Sequence, residues 1–185
     1  MSSVRRRFGS VRIDLDPTEA VLLASLVAQI GELLGSGAPE EPTDPIAAAI
    51  EVPAERPPAP EDPVLRRLLP DAYRDDPEAA GEYRRLMDGD LRAQKRAALR
   101  AVLDAISAGE RQGRGRRLDL TDESAGQWLY ALTDVRLVLG TRLGVTEEMS
   151  ERDEVVPTSP LYAQFAVYDW VTALQDALVR AVAGD

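Results

Sequence analysis

The run Leu118 to Glu148, LDLTDESAGQWLYALTDVRLVLGTRLGVTEE, limits what this chain can fold into more than any other stretch. Thr121 suits a helix N-cap, with Asp122 and Glu123 complementing the dipole, and Gly144 marks the exit. Ala125, Trp128, Leu129, Leu132, Val135, Leu139 and Leu143 recur at three- and four-residue steps, and Tyr130, Leu137 and Val138 widen the stripe. A helix apolar over so much of its circumference packs against several neighbours, so a central helix is expected.

The flanking sequence supplies the neighbours. Val11, Ile13 and Leu15 alternate with Arg12 and Asp14, which predicts a strand from Ser10 to Leu15. Leu118-Asp119-Leu120 repeats that alternation in front of the central helix. Two strand-like runs predict one small two-stranded ribbon. Asp16-Pro17-Thr18-Glu19 reads as a capped start for a helix with Ala20, Leu23, Val27, Ile30 and Leu34 on its buried stripe. Asp62-Pro63 opens a short helix that Pro70 ends. Asp76-Pro77 opens another, with Ala80, Tyr83, Leu86 and Met87 as its apolar side. A bend or a new cap is expected at Asp88, with a continuous helix as the alternative, before the chain continues through Leu91, Ala98, Val102 and Ile106. Ser159-Pro160 opens a last helix with Phe165, Tyr168, Val171, Leu174, Leu178 and Val182 inside.

The expected architecture is mainly α, a compact multi-helix bundle around a central apolar helix, with a small two-stranded β ribbon. One domain is expected over residues 8–183, with a flexible basic tail at 1–7 and a proline-rich crossover at about 36–62. Asp44-Pro45 offers a very short helix inside that crossover, and residues 150–157 read as a charged loop.

Composition narrows the chemistry. Cys 0 and His 0 exclude a thiolate nucleophile, an imidazole base and a Cys/His zinc site. Lys95 is the only lysine. No catalytic set, metal site or cofactor motif is evident, and none is expected. A formal net charge of -10, from Lys+Arg 22 against Asp+Glu 32, disfavours a general nucleic-acid or anionic-membrane binder. No continuous apolar run approaches the roughly 20 residues that span a bilayer, so a cytoplasmic chain is expected.

Three groups of residues invite a functional reading. Asp134, Arg136 and Arg142 are charges embedded among apolar residues of the central helix, where an unpaired charge is costly. They form a buried ionic network, with Glu82 or Asp169 as carboxylates an arginine can reach, or else they line a ligand pocket. Arg5, Arg6, Arg7, Arg12, Arg111, Arg114, Arg116 and Arg117 flank the two strands, and pairing of those strands is expected to gather them into one basic interaction lobe. Asp71, Asp75, Asp76 and Glu78, like Glu147, Glu148, Glu151, Asp153 and Glu154, are dense in carboxylates but lack calcium-loop spacing, and read as caps and solubility. Trp128, Leu132, Val135, Leu139, Phe165 and Tyr168 are the expected core anchors. Trp170 and Tyr162 are expected at an exposed interface.

The segments LLPDAYRDDPEAAGEYRRL, DLRAQKRA, WLYALTDVRLVLGTRLGVTEE and VYDWVTALQDALVRA resemble an actinobacterial family known as a domain of unknown function, DUF2017, from Phe8 to about Val182. The resemblance implies no enzymatic activity. It implies stress-linked transcriptional regulation through a thiol switch and an RNA polymerase sigma factor. The thiol part has no residue to carry it here. The reading is therefore a noncatalytic regulatory or scaffolding protein acting through protein contacts, with transcription machinery as a candidate partner and a homodimer allowed. Specific DNA recognition by the isolated chain is not expected. The alternative is a small enzyme, or a ligand- or metal-binding protein, that uses the carboxylates and arginines around the central helix.

Overall fold

The computed structural model describes residues 2–35, 58–73, 75–113, 115–146 and 159–184. In chain order these form β1 (Ser3–Arg7), β2 (Ser10–Leu15), α1 (Pro17–Gly35), α2 (Pro63–Leu68), α3 (Pro77–Ala108), β3 (Glu110–Gln112), β4 (Gly115–Leu120), α4 (Asp122–Leu143) and α5 (Pro160–Ala183). The mainly α architecture is as expected. Arg114, most of the proline-rich crossover with Asp44-Pro45, and the acidic run Glu147 to Glu154 lie outside the described residues.

The two alternating runs do pair: β2 and β4 are antiparallel, with Ile13 opposite Leu118 and Val11 opposite Leu120. The ribbon, however, is the middle of a four-stranded antiparallel sheet, ordered β1-β2-β4-β3. Ser3–Arg7 is an edge strand rather than a flexible tail, because Val4 faces inward opposite Ile13 and the ladder runs from Ser3 opposite Asp14 to Arg7 opposite Ser10. Val11, Ile13, Leu15, Leu118 and Leu120 point to the helices and are buried, while their neighbours alternate outward. Gly115 lets β4 approach the end of β2 closely. A Cβ there would sit 2.4 Å from the Leu15 carbonyl oxygen and 3.4 Å from Asp16 Cα. Both close atoms are backbone of the Leu15–Asp16 segment and cannot move aside by a rotamer change, so Gly115→Ala is expected to cost about 2 kcal/mol in urea unfolding.

α4 is the hub of the helical layer and meets each of the four other helices among the described residues. Its cap is as expected, with Thr121 Oγ1 accepting from Ser124 N at 3.1 Å. At the other end Gly144, at φ 66°, permits a Val145 N to Gly140 O bond of 2.8 Å, which closes the helix. Trp128, Leu132 and Val135 are 0% exposed. Leu139 and Leu143 are only partly buried, and Tyr130 faces solvent, so the apolar stripe is narrower than the sequence suggests.

α1 starts with a capping box. Asp16 Oδ1 accepts from Thr18 N and Glu19 N at 2.8 and 2.9 Å, and Glu19 Oε2 accepts from Asp16 N at 2.8 Å. These bonds to the backbone, above all that from Glu19 N, hold the Asp16 carboxyl below its ordinary pKa. Contrary to the composition argument, α1 is long and apolar enough to cross a membrane; it is the one such helix among the described residues. Its stripe of Ala20, Leu23, Val27, Ile30 and Leu34 is nevertheless spent on the protein's own core, packed chiefly on α3.

α3 is a single helix of 32 residues, with neither bend nor new cap at Asp88. Asp88 instead bonds within the helix, its Oδ2 receiving Arg92 Nε at 2.6 Å, and the buried Arg92 also donates Nη1 to the Leu34 carbonyl at 3.0 Å. That contact caps the carbonyl end of α1 with a cation. Leu86 and Met87 are exposed rather than part of the core.

Candidate functional site: buried charges and basic strands

Asp134 is the buried carboxylate of α4, only 3% exposed. Its partner is neither arginine of the predicted network but Lys95 on α3, whose Nζ lies 2.6 Å from Asp134 Oδ1. The packing of α3 on α4 brings these residues together across 39 positions of sequence. Burial raises the Asp134 pKa above the usual carboxylate value, and the Lys95 hydrogen bond and charge pull it back only in part.

Arg136 belongs to a second, separate latch, between α4 and α5. Its Nη1 donates to Gln175 Oε1 at 2.8 Å, Gln175 Nε2 donates to Thr133 Oγ1 at 2.8 Å, and the guanidinium carbon stands 5.9 Å from the centre of the Tyr168 ring. Asp169 is exposed on α5 and is not its partner. Glu82 bonds Arg85 one turn along its own helix. Arg142 is exposed and makes no ion pair among the described residues. The five residues expected to share one network are thus dispersed. An open depression of about 450 Å³ between α2 and α4 is lined by Arg66, Arg67, Pro70, Asp71 and Leu137 and holds none of them.

The sheet disperses the arginines in the same way. Residues opposite one another on neighbouring strands share a face. The outer face therefore carries the row Arg5, Arg12, Asp119 and the row Ser3, Asp14, Arg117, Glu110. Arg12 grips Asp119 through Nε and Nη2 at 2.8 and 2.9 Å, and Arg117 Nε reaches Asp14 at 2.9 Å. The Arg12 hydrogen bonds hold the Asp119 carboxyl below its ordinary pKa. Arg6, opposite Val11, turns toward the helices and meets Asp122 in the first turn of α4 at 2.5 Å, which lowers the Asp122 pKa. Arg5, Arg7, Arg111 and Arg116 remain without an ion pair among the described residues. They form no single lobe. The antiparallel register puts Arg5 and Arg7 at one corner and Arg111 and Arg116 at the diagonal one, on the order of 20 Å away.

The first carboxylate cluster has structural work. Asp76 caps α3, accepting from Glu78 N and Ala79 N at 3.0 Å, and Asp71 pairs with Arg84. No group of three metal-ligating side chains comes together among the described residues. Trp170 is also not the exposed interface residue expected. Its Nε1 donates to Glu19 Oε1 at 3.1 Å and to Ser2 Oγ at 3.2 Å, and Glu19 Oε1 takes Ser2 N at 2.7 Å, so the indole joins α5 to the start of the chain. Tyr162 is exposed. Lys95 and Arg92 are the interior cations that candidate selection from sequence passed over. The Asp88–Arg92 spacing of four was a signal for the second, whereas the Lys95 pairing had no local signal.

Fold and site together define a mainly helical protein built on a small antiparallel sheet, with Asp134 paired to Lys95 and Arg92 to Asp88 between and along its helices. The family model for a domain of unknown function (DUF2017) matches residues 1–182, and the chain belongs to that family. It is 34% identical over 186 residues to the oxidative stress regulator AosR of Mycobacterium tuberculosis (strain ATCC 25618 / H37Rv), an alignment covering 94% of this chain and 82% of the relative. A Mycobacterium leprae (strain TN) protein that carries the same regulator name provisionally is 36% identical over 190 residues, covering 95% and 82%. No solved structure matches the chain.

Proposed function

We propose that this protein is a noncatalytic regulator of stress-linked gene expression that acts in the cytoplasm through contacts with protein partners, candidates being components of the transcription machinery. The observation that carries this reading is the closure of Asp134 against Lys95. The one buried carboxylate of the central helix, 3% exposed, is engaged in holding two helices together. The regulator name borne by full-length relatives supports the same direction. A thiol switch is not part of it, since these 185 residues contain no cysteine. The input is a binding event or a change in amount.

The test is a strain lacking the gene, challenged with peroxide and profiled for transcripts, with and without a restored copy. The expected result is a defined set of stress transcripts that changes in the deletion and returns on complementation. An unchanged transcript response would remove the regulatory reading.

A further inference from the structure

We infer that the tip of the β1–β2 hairpin is a docking finger for a protein partner, in which Phe8 anchors in an apolar pocket and Arg5 and Arg7 pair with carboxylates on its rim. The inference rests on the regulatory reading above and names the surface and the chemistry that reading requires. Phe8 is 109% exposed, more than any other large apolar residue described. It occupies the first position of a two-residue turn whose second position, Gly9, takes φ 74°. Turns of that form favour proline at the first position, with polar residues and glycine common around it. An aromatic ring there packs on nothing and contributes nothing to the fold. The chain's other phenylalanine, Phe165, is buried, and the exposed tyrosines Tyr73, Tyr130 and Tyr162 are each less exposed than Phe8.

The tip is also held in place. The Arg6 fork to Asp122 fixes it against the first turn of α4. At the other end of the hairpin, Ser2 is bound by Glu19 and Trp170. A finger held at both ends presents its aromatic ring with a reduced backbone ordering cost on binding, leaving only the ring's own rotamers to be fixed. Beside it Arg5 and Arg7 are exposed and have no ion pair among the described residues, whereas Arg12, next to Arg5 in the same row, is satisfied by Asp119. One rigid projecting aromatic flanked by two free guanidinium groups suits an acidic-rimmed apolar pocket. A nucleic acid or an anionic bilayer fits less well. The chain carries -10 overall, and Arg111 and Arg116 stand at the far corner of the sheet, so the described residues form no continuous basic track for a row of phosphates.

Replacing Phe8 by the photoreactive analogue p-benzoylphenylalanine in the native host tests this, with the exposed Tyr130 position as control. The expected result is a light-dependent protein adduct from position 8 and not from position 130. The crosslinked segment should contain apolar residues flanked by Asp or Glu, and its yield should fall about tenfold or more in an Arg5→Glu/Arg7→Glu background. A nucleic-acid or lipid adduct, a basic segment, an adduct indifferent to the arginine changes, or no adduct would each overturn the finger. Complementation separates this from the parent proposal. If the deletion changes stress transcripts and Phe8→Ser, folded with an unchanged urea midpoint, restores them fully, the finger is wrong and the regulatory reading stands. If the deletion changes nothing, the regulatory reading itself has failed.

Discussion

Lys95→Met is expected to cost about 3 kcal/mol of stability at pH 7 and almost nothing near pH 4. The variant leaves Asp134 buried between α3 and α4 without its cation. The protein then has two options: keep the charge in a poor dielectric, or protonate it. Protonating an ordinary carboxylate at pH 7 costs at most about 4 kcal/mol, at about 1.4 kcal/mol per pH unit, which sets the ceiling. The sign follows from linkage. The folded-state pKa of Asp134 is raised above its unfolded value, so the folded state holds the proton more tightly. The contribution of this group is fully present below the ordinary carboxylate pKa and is lost as pH rises through the raised value. Removing Lys95 removes both influences that lower that pKa, so the window widens upward. Urea unfolding of parent and variant at several pH values should show two curves that meet in acid and diverge toward neutrality. Asp119 and Asp122 behave oppositely. Their lowered pKa values give stability above the ordinary carboxylate range that is lost as pH falls through the lowered values. A gap between parent and Lys95→Met that is constant with pH would mean that Lys95 acts by packing alone.

Trp128→Ala should produce the largest loss of any single change in the core, about 4 kcal/mol. Among the described residues Trp128 is 0% exposed and is the largest of the fully buried side chains, on the helix that touches each of the other described helices. Domains of this kind are stable by only about 5–15 kcal/mol, so much of the margin would vanish. The loss is one of volume and apolar surface rather than of a hydrogen bond, because the indole Nε1 has no acceptor among the described residues. Trp128→Phe therefore keeps much of the buried area, gives up no bond, and is expected to lose well under half as much. Equal losses for the two variants would show that the indole nitrogen has a partner that matters.

Local signals reported local structure well. The caps Asp16, Asp62, Asp76, Thr121 and Ser159 were all legible, since a short acceptor before a helix satisfies amide groups in its own first turn. The alternations at Val11 to Leu15 and Leu118 to Leu120 identified the two inner strands because those have one buried face. β1 was not legible. Three successive arginines conceal the period of two, and only pairing with β2 reveals that Val4 faces in and Arg5 out. The break expected at Asp88 did not occur because Arg92, one turn on, engages the carboxylate that would otherwise compete for backbone. The candidate site failed for a related reason. Which cation reaches Asp134 depends on how α3 is set against α4, and whether eight arginines converge depends on strand direction. Both are tertiary facts with no local residue pattern.

Lys95 and Asp134 join α3 to α4 and organise the body, and the function proposed above lies on the surface. The most direct measurement replaces the pair together, as Lys95→Met/Asp134→Leu, and asks for both fold and activity. Buried pairs exchanged for apolar residues of similar volume are often neutral, so stability within about 1 kcal/mol of the parent is expected. The variant should also restore the stress transcript response in the deletion strain. A variant that unfolds in urea at the parent's midpoint yet fails to restore that response would place function at the pair itself, and would contradict the account.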